Sequence, residues 1–404
     1  MSTSDLSVDD ALARRNALIL AVAQALGGAN STVTFALGGL VGHWLAADKS
    51  LSTLPITCFV LGTATTTIPA SMLTRRIGRR AGFMVGSLLG IVAGLIAMRA
   101  IFIADFWLFA LATFIAGCYA AFVQLYRYAA ADTASDAFRG KAISWVLAGG
   151  VAAGVIGPQL VIYTRDLFAP IAFAGAFAVQ AIVAALAMVV LSFVRIPPPR
   201  PIAETGTGRP LVEIVRQPRF IVAAICGITS YALMNLVMTG APLAMVGCDH
   251  TVGDAALAIQ WHVIAMFAPS FFTGHLIARF GKEAVVMAGL VLLAGCGVVA
   301  LSGVDLMHFW LALILLGVGW NFGFVGATTM VTDCYRPEER NKVQGTNDFL
   351  VFAFVALASV SSGKLLDASG WEAINWMLFP FTGACLAMLL WLDVRRRIRR
   401  VRVR

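Results

Sequence analysis

The sequence predicts an all-α integral membrane protein with twelve spanning helices, and three observations support this. The 404-residue chain is 59% hydrophobic and 13% charged, with mean hydropathy +0.85; a soluble chain carries about 25% charge. Its apolar residues fall into twelve blocks, each near the roughly 20 residues a bilayer-spanning helix needs. Its basic residues gather in alternate loops.

The blocks are 17–44, 51–73, 81–103, 106–128, 142–163, 168–194, 219–245, 254–277, 284–304, 308–332, 344–366 and 371–393. The first follows the polar, acidic stretch Ser2–Asp10 and is too long for a signal-peptide core, so it is expected to remain as a spanning helix. Block four ends on Gln124, Tyr126 and Arg127, the last placed to snorkel to the interface. Block five carries Gly150, Gly154, Gly157 and Pro158, small residues that let helices pack closely. Between blocks six and seven, residues 195–218 hold Pro197, Pro198, Pro199, Pro201 and Pro210. A proline-rich stretch favours extended, semi-rigid chain. The expected organisation is a six-helix half over 1–194, a cytoplasmic connector over 195–218 and a second six-helix half over 219–404.

With both termini and the even-to-odd loops on one side, that side holds 26 of the 30 basic residues, leaving Lys49, Arg99, Arg165 and Lys364 opposite. The positive-inside rule then places both termini of this multi-pass membrane protein in the cytoplasm. The tail Arg395–Arg404 directly follows a spanning helix, which suits anionic lipid headgroups rather than nucleic acid. The seven cysteines form no disulfide framework: Cys58, Cys118, Cys296 and Cys385 lie inside apolar blocks and are expected to pack as small hydrophobes. No phosphate loop, nucleophile elbow or zinc-protease motif is present, so an enzyme is not expected, nor a resident cofactor.

The chain repeats itself. Gly78, in Thr74–Arg80, and Gly281, in the loop after block eight, are 203 residues apart. Asp132, Arg139 and Lys141 precede Asp333, Arg340 and Lys342 by 201 residues each. Two separate loops whose offsets agree to within two residues mark an internal duplication. Parallel six-helix repeats form carriers that bind substrate between the halves.

These loops resemble those of the major facilitator superfamily over essentially the whole chain. Leu73, Arg76, Gly78, Arg79 and Arg80 match its loop signature after helix two, with Arg75 where the family has Asp and Ser71 where it has its first Gly. The second copy keeps Gly274, Leu276, Arg279, Gly281 and Lys282. The resemblance implies a monomeric carrier working by alternating access. It also implies cytoplasmic gate motifs at Arg76, Gly78, Arg79, Asp132, Arg139, Arg279, Gly281, Asp333 and Arg340.

Blocks seven and eight carry the residues that point to a cargo. Met234 and Met238, then His262 and Met266, are each spaced by four, which puts each pair on one helical face. Thioether and imidazole together suit Cu(I). Cys226 and Cys248 flank the methionine pair; their separation of 22 residues is roughly 33 Å along a helix, too far for a disulfide. His250 and Asp249 stand beside Cys248. This set resembles the CcoA-type bacterial copper importers that supply haem–copper cytochrome oxidase assembly. The resemblance implies a copper importer, with copper ion as transported partner, a metal site at Met234, Met238, His262 and Met266, and relay thiols at Cys226 and Cys248. Two alternatives stand beside it. A proton-coupled exporter of drugs or metabolites would want an intramembrane carboxylate, and Asp348 is the nearest one. A non-transporting copper receptor would bind without accumulation.

Overall fold

The computed structural model describes residues 10–132, 134–196 and 208–402. Residues 2–9 and the connector prolines Pro197, Pro198, Pro199 and Pro201 lie outside the described residues. Every regular element among the described residues is helical. Among the described residues ten helices are long and apolar enough to cross a bilayer, or eleven if one bent pair counts as a span. The longest, Lys342–Arg395, has 54 residues, about 80 Å if straight, which is more than two hydrocarbon cores. It turns at Gly370, φ 75°, and therefore holds both of the last two apolar blocks.

By contacts the chain separates into two compact units, Met1–Gly38 with Leu61–Pro201, and Gly39–Val60 with Ile202–Arg404. The first unit contains most of α1 (Asp10–Leu45), the later part of α2 (Leu54–Ile77), α3 (Arg79–Phe102), α4 (Phe106–Val123), α5 (Tyr126–Asp132), α6 (Asp136–Thr164) and α7 (Ala174–Leu191). Helix α3 packs between α4 and α7. Its small residues permit this: a Cβ on Gly90 would stand 2.5 Å from the Tyr119 ring. Block four breaks between Val123 and Tyr126, and Tyr126 turns into the apolar cluster of Phe83, Tyr119 and Leu191. Buried Asn16 ties the start of α1 to the chain after α7, donating to the Arg195 carbonyl at 2.8 Å and accepting from its N–H at 3.1 Å.

The second unit contains a 3₁₀ turn at Lys49–Leu51, α8 (Leu211–Val215), α9 (Pro218–Gly247), α10 (Val252–Phe267), α11 (Ser270–Phe280), α12 (Lys282–Ser302), α13 (Leu306–Val331), α14 (Arg340–Trp376) and α15 (Leu378–Arg402). Helix α10 starts on a capping box of Thr251 and Asp254, which satisfies its first N–H groups. A bend of 43° separates it from α11. Helix α13 is the centre of the unit, in contact with α9, α10 and α12. Gly317 brings α10 close, since a Cβ there would be 2.6 Å from the His262 carbonyl; Gly323 does the same for α9, where a Cβ would collide with the Ser230 hydroxyl.

Candidate functional site

The four residues read as metal ligands are all buried. Met234 and Met238 sit in α9, and His262 and Met266 in α10. The His262 ring is engaged: Nδ1 lies 2.8 Å from the Leu313 carbonyl of α13. A carbonyl only accepts, so Nδ1 carries the proton and Nε2 is a bare acceptor, buried without a hydrogen-bond partner. Asn321 follows on the same seam, donating to the Met266 carbonyl and to Ser270 Oγ, both at 2.7 Å, and accepting from Thr273 Oγ1 at 2.6 Å. These bonds fix how α13 is turned against α10 and α11. Among the described residues no group of three or more His, Cys, Asp and Glu could hold a metal.

The flanking thiols are apart. Cys226 is buried near the start of α9 and interacts with Cys385 of α15, whose Sγ is 3.3 Å from Thr229 Oγ1. The sequence reading groups Cys226 and Cys248 only as relay thiols flanking the methionine pair, and gives Cys226 no partner on the last helix. Cys248 caps the far end of α9. There it borders a cavity of about 460 Å³ with His43, Lys49, Ser52, Asp367 and Trp371. His43 Nδ1 lies 3.0 Å from Ser52 Oγ, and Lys49 Nζ donates to the His43 and Ala46 carbonyls. His250 is tied elsewhere, with Nε2 2.8 Å from the Val304 carbonyl.

In the turns after α2 and α11 the duplication is visible in the backbone. Gly78 has φ 87°, ψ 156° and Gly281 has φ 89°, ψ 158°, a region open to glycine and hardly to other residues. Each turn aims the next cation at a repeat-related carboxylate. Arg79 pairs with Asp132 at 2.9 Å. Lys282 pairs with Asp333 at 2.6 Å, and Arg219 adds a second cation there while reaching Glu283 at 2.8 Å. Burial pushes the Asp333 carboxyl up, but hydrogen bonds from Lys282 and Arg219 outweigh it and hold it below the ordinary value. Arg76, Arg139, Arg279 and Arg340 are exposed around these turns. Nearby, fully buried Glu339 accepts from Arg209 Nε at 2.9 Å and from the Arg209 and Arg336 backbone N–H groups. The Arg209 contact, with the N–H bonds in support, holds its carboxyl far below the usual range.

One cluster was missed from sequence. Tyr231, near the middle of α9, lies edge-on to Trp320 at 5.3 Å and to Phe324 at 5.0 Å, both on α13. It also reaches Phe352 of α14 at 5.9 Å. Trp320 and Phe324 stack at 5.5 Å, their planes 14° apart. The available signal was positional. Trp and Tyr favour the membrane–water interface, yet Tyr231 and Trp320 stand at mid-helix, and Trp320 and Phe324 share the four-residue spacing of the methionine pair. An assembly of this kind offers flat π-faces and neutral dipoles, and no formal charge.

Over residues 18–268 and again over 223–403 the chain matches the Major Facilitator Superfamily. The chain belongs to that superfamily. It is therefore a multi-pass membrane transporter and not an enzyme. It is 54% identical to the riboflavin transporter RfnT of Brucella anthropi, over 95% of this chain and 96% of the relative. Two uncharacterized MFS-type transporters of Bacillus subtilis, YdeG and YddS, are each 29% identical over 94% of this chain, covering 91% and 90% of their own lengths.

The likeness to the riboflavin transporter overturns the copper reading. Copper import, copper ion as partner, metal binding and a part in cytochrome oxidase assembly are all corrected by it. The physical reason for the error is that methionine pairs at helical spacing are also ordinary membrane-helix packing.

Proposed function

We propose that this transporter moves riboflavin across the bacterial inner membrane by alternating access, with both termini in the cytoplasm. The observation that carries the reading is the 54% identity, over nearly the full length of both chains, to the riboflavin transporter of Brucella anthropi. Chemistry supports it. Riboflavin is a neutral, planar three-ring heteroaromatic with a polyol chain. Uncharged cargo requires no buried counter-ion, and the mid-helix side chains Tyr231, Asn235, Trp320 and Asn321 are aromatic or neutral polar.

The basic loops support the orientation. In this reading 1–194 and 219–404 are the two moving halves, joined by the connector 195–218. The ion pairs Arg79–Asp132 and Lys282–Asp333 are matched tethers at the cytoplasmic face. Gly78 and Gly281 set the turns, and Arg76, Arg139, Arg279 and Arg340 supply the surrounding positive potential. Met234, Met238 and Met266 pack the helices, and His262 fastens α10 to α13.

The test is uptake of radiolabelled riboflavin by a riboflavin-auxotrophic bacterium expressing the chain. Saturable uptake above the empty-vector strain is expected, with copper accumulation unchanged. Equal riboflavin uptake with and without the chain, at verified membrane expression, defeats the reading.

A further inference from the structure

The aromatic cluster of the second unit is costly as mere packing. A Trp in the hydrocarbon layer loses the water that would hydrogen-bond its indole N–H. Trp320 is 8% exposed and its Nε1 has no hydrogen-bond partner. Around it Tyr231, Phe324 and Phe352 are each half-buried. The arrangement is also rigidly held. Close approach at Gly323 sets α9 against α13, and the Asn321 bonds to α10 and α11 fix the rotation of α13. A rigid platform of flat faces with one unmatched donor suits a large planar heteroaromatic bearing carbonyl or ring-nitrogen acceptors.

We infer that Trp320, Phe324 and Tyr231 form the shelf on which the three-ring system of a flavin stacks, and that this shelf, not recognition of the polyol chain, sets specificity. The inference rests on the riboflavin reading and deepens it by naming the moiety recognised and the residues that recognise it. Stacking on the electron-rich indole or phenol ring quenches flavin emission by electron transfer, and stacking itself tolerates any π-face, so ring-only analogues bind too. Loss of one stacking partner lowers affinity about tenfold, in line with the cost of removing an aromatic from beneath a nucleobase.

The experiment is a fluorescence titration of the purified full chain in nanodiscs with riboflavin. Lumichrome (the ring system without the polyol) and ribitol (the polyol alone) serve as competitors. Expected is a saturable quench, competed by lumichrome and not by ribitol. Trp320→Leu and Tyr231→Leu weaken binding about tenfold, Trp320→Phe keeps most of it, and Trp376→Leu, an exposed position, changes nothing. Melting curves accompany each variant; where a leucine variant does not fold, the Trp320→Phe quench amplitude and the lumichrome-to-ribitol selectivity of the wild type decide. Competition by ribitol and not lumichrome overturns the shelf. So does unchanged affinity in folded Trp320→Leu and Tyr231→Leu; in both cases saturable wild-type binding leaves riboflavin transport standing. Absence of both quench and uptake in the wild type overturns the transport reading and the shelf with it.

Discussion

Glu339 shows most directly how one side chain fastens the stretch before α8 to the turn before α14. Its carboxylate is fully buried and accepts four bonds, three of them from Arg209. An ionised group in such a place is tolerated only while its partners stay. Arg209→Met therefore lowers the melting temperature of the detergent-solubilised protein, whereas Arg209→Lys restores part of it, as scanning calorimetry can check. The pH dependence has a definite sign. The folded-state value lies below the ordinary 4.5, so the contribution is complete above that value and is lost as pH falls beneath it toward the depressed one. Wild-type melting temperature should drop in that acid range, and the drop should be smaller in Arg209→Met. At this same scale the sequence misleads. Met234 and Met238 stand out by residue type, while Trp320, which carries an unmatched donor, reads as one more apolar residue.

Among the elements, α13 decides the arrangement of the second unit because three helices close on it. Its glycines act on different neighbours, and the atom each would meet sets the cost of filling it. At Gly317 a Cβ faces the His262 main-chain carbonyl at 2.6 Å, which moves only if α10 moves. At Gly323 it faces the Ser230 hydroxyl, which can rotate. Gly317→Ala is thus expected to destabilise by roughly 1–3 kcal/mol, as overpacking does, and Gly323→Ala by less, with Gly323→Ala/Ser230→Ala nearer wild type. Chemical denaturation in mixed micelles measures the order; equal losses would contradict it. Helix existence was readable from twelve apolar blocks, since spanning a bilayer demands a long apolar run. The breaks at Gln124–Leu125 and between α10 and α11 were not, because each depends on packing against neighbours rather than on composition.

Across the whole molecule the duplication governs the ends of the helices. Asp333 holds two cations, Arg219 and Lys282, and its counterpart Asp132 is paired with Arg79. Both carboxylates are part-exposed, so each pair is worth less than about 1 kcal/mol to stability. The proposed tether role places their effect in the transport cycle. Asp333→Asn should slow riboflavin uptake more than Asp132→Asn, with melting temperatures close to wild type for both. Initial uptake rates normalised to membrane expression test this, and equal rates in both variants and wild type would remove the tether role.

By itself the sequence determined the membrane class, the superfamily and the repeat: long apolar blocks, alternate basic loops and repeat offsets of 201 and 203 residues each record a constraint acting along the chain. The offsets even foretold equivalent turns, since only glycine enters the backbone region that Gly78 and Gly281 share. The tertiary structure alone decided that His262 bonds to Leu313, that Cys226 meets Cys385, and that Tyr231, Trp320, Phe324 and Phe352 come together. Each of those contacts joins helices far apart in the chain. Periodicity reports which face a residue occupies, but not which helix that face will meet.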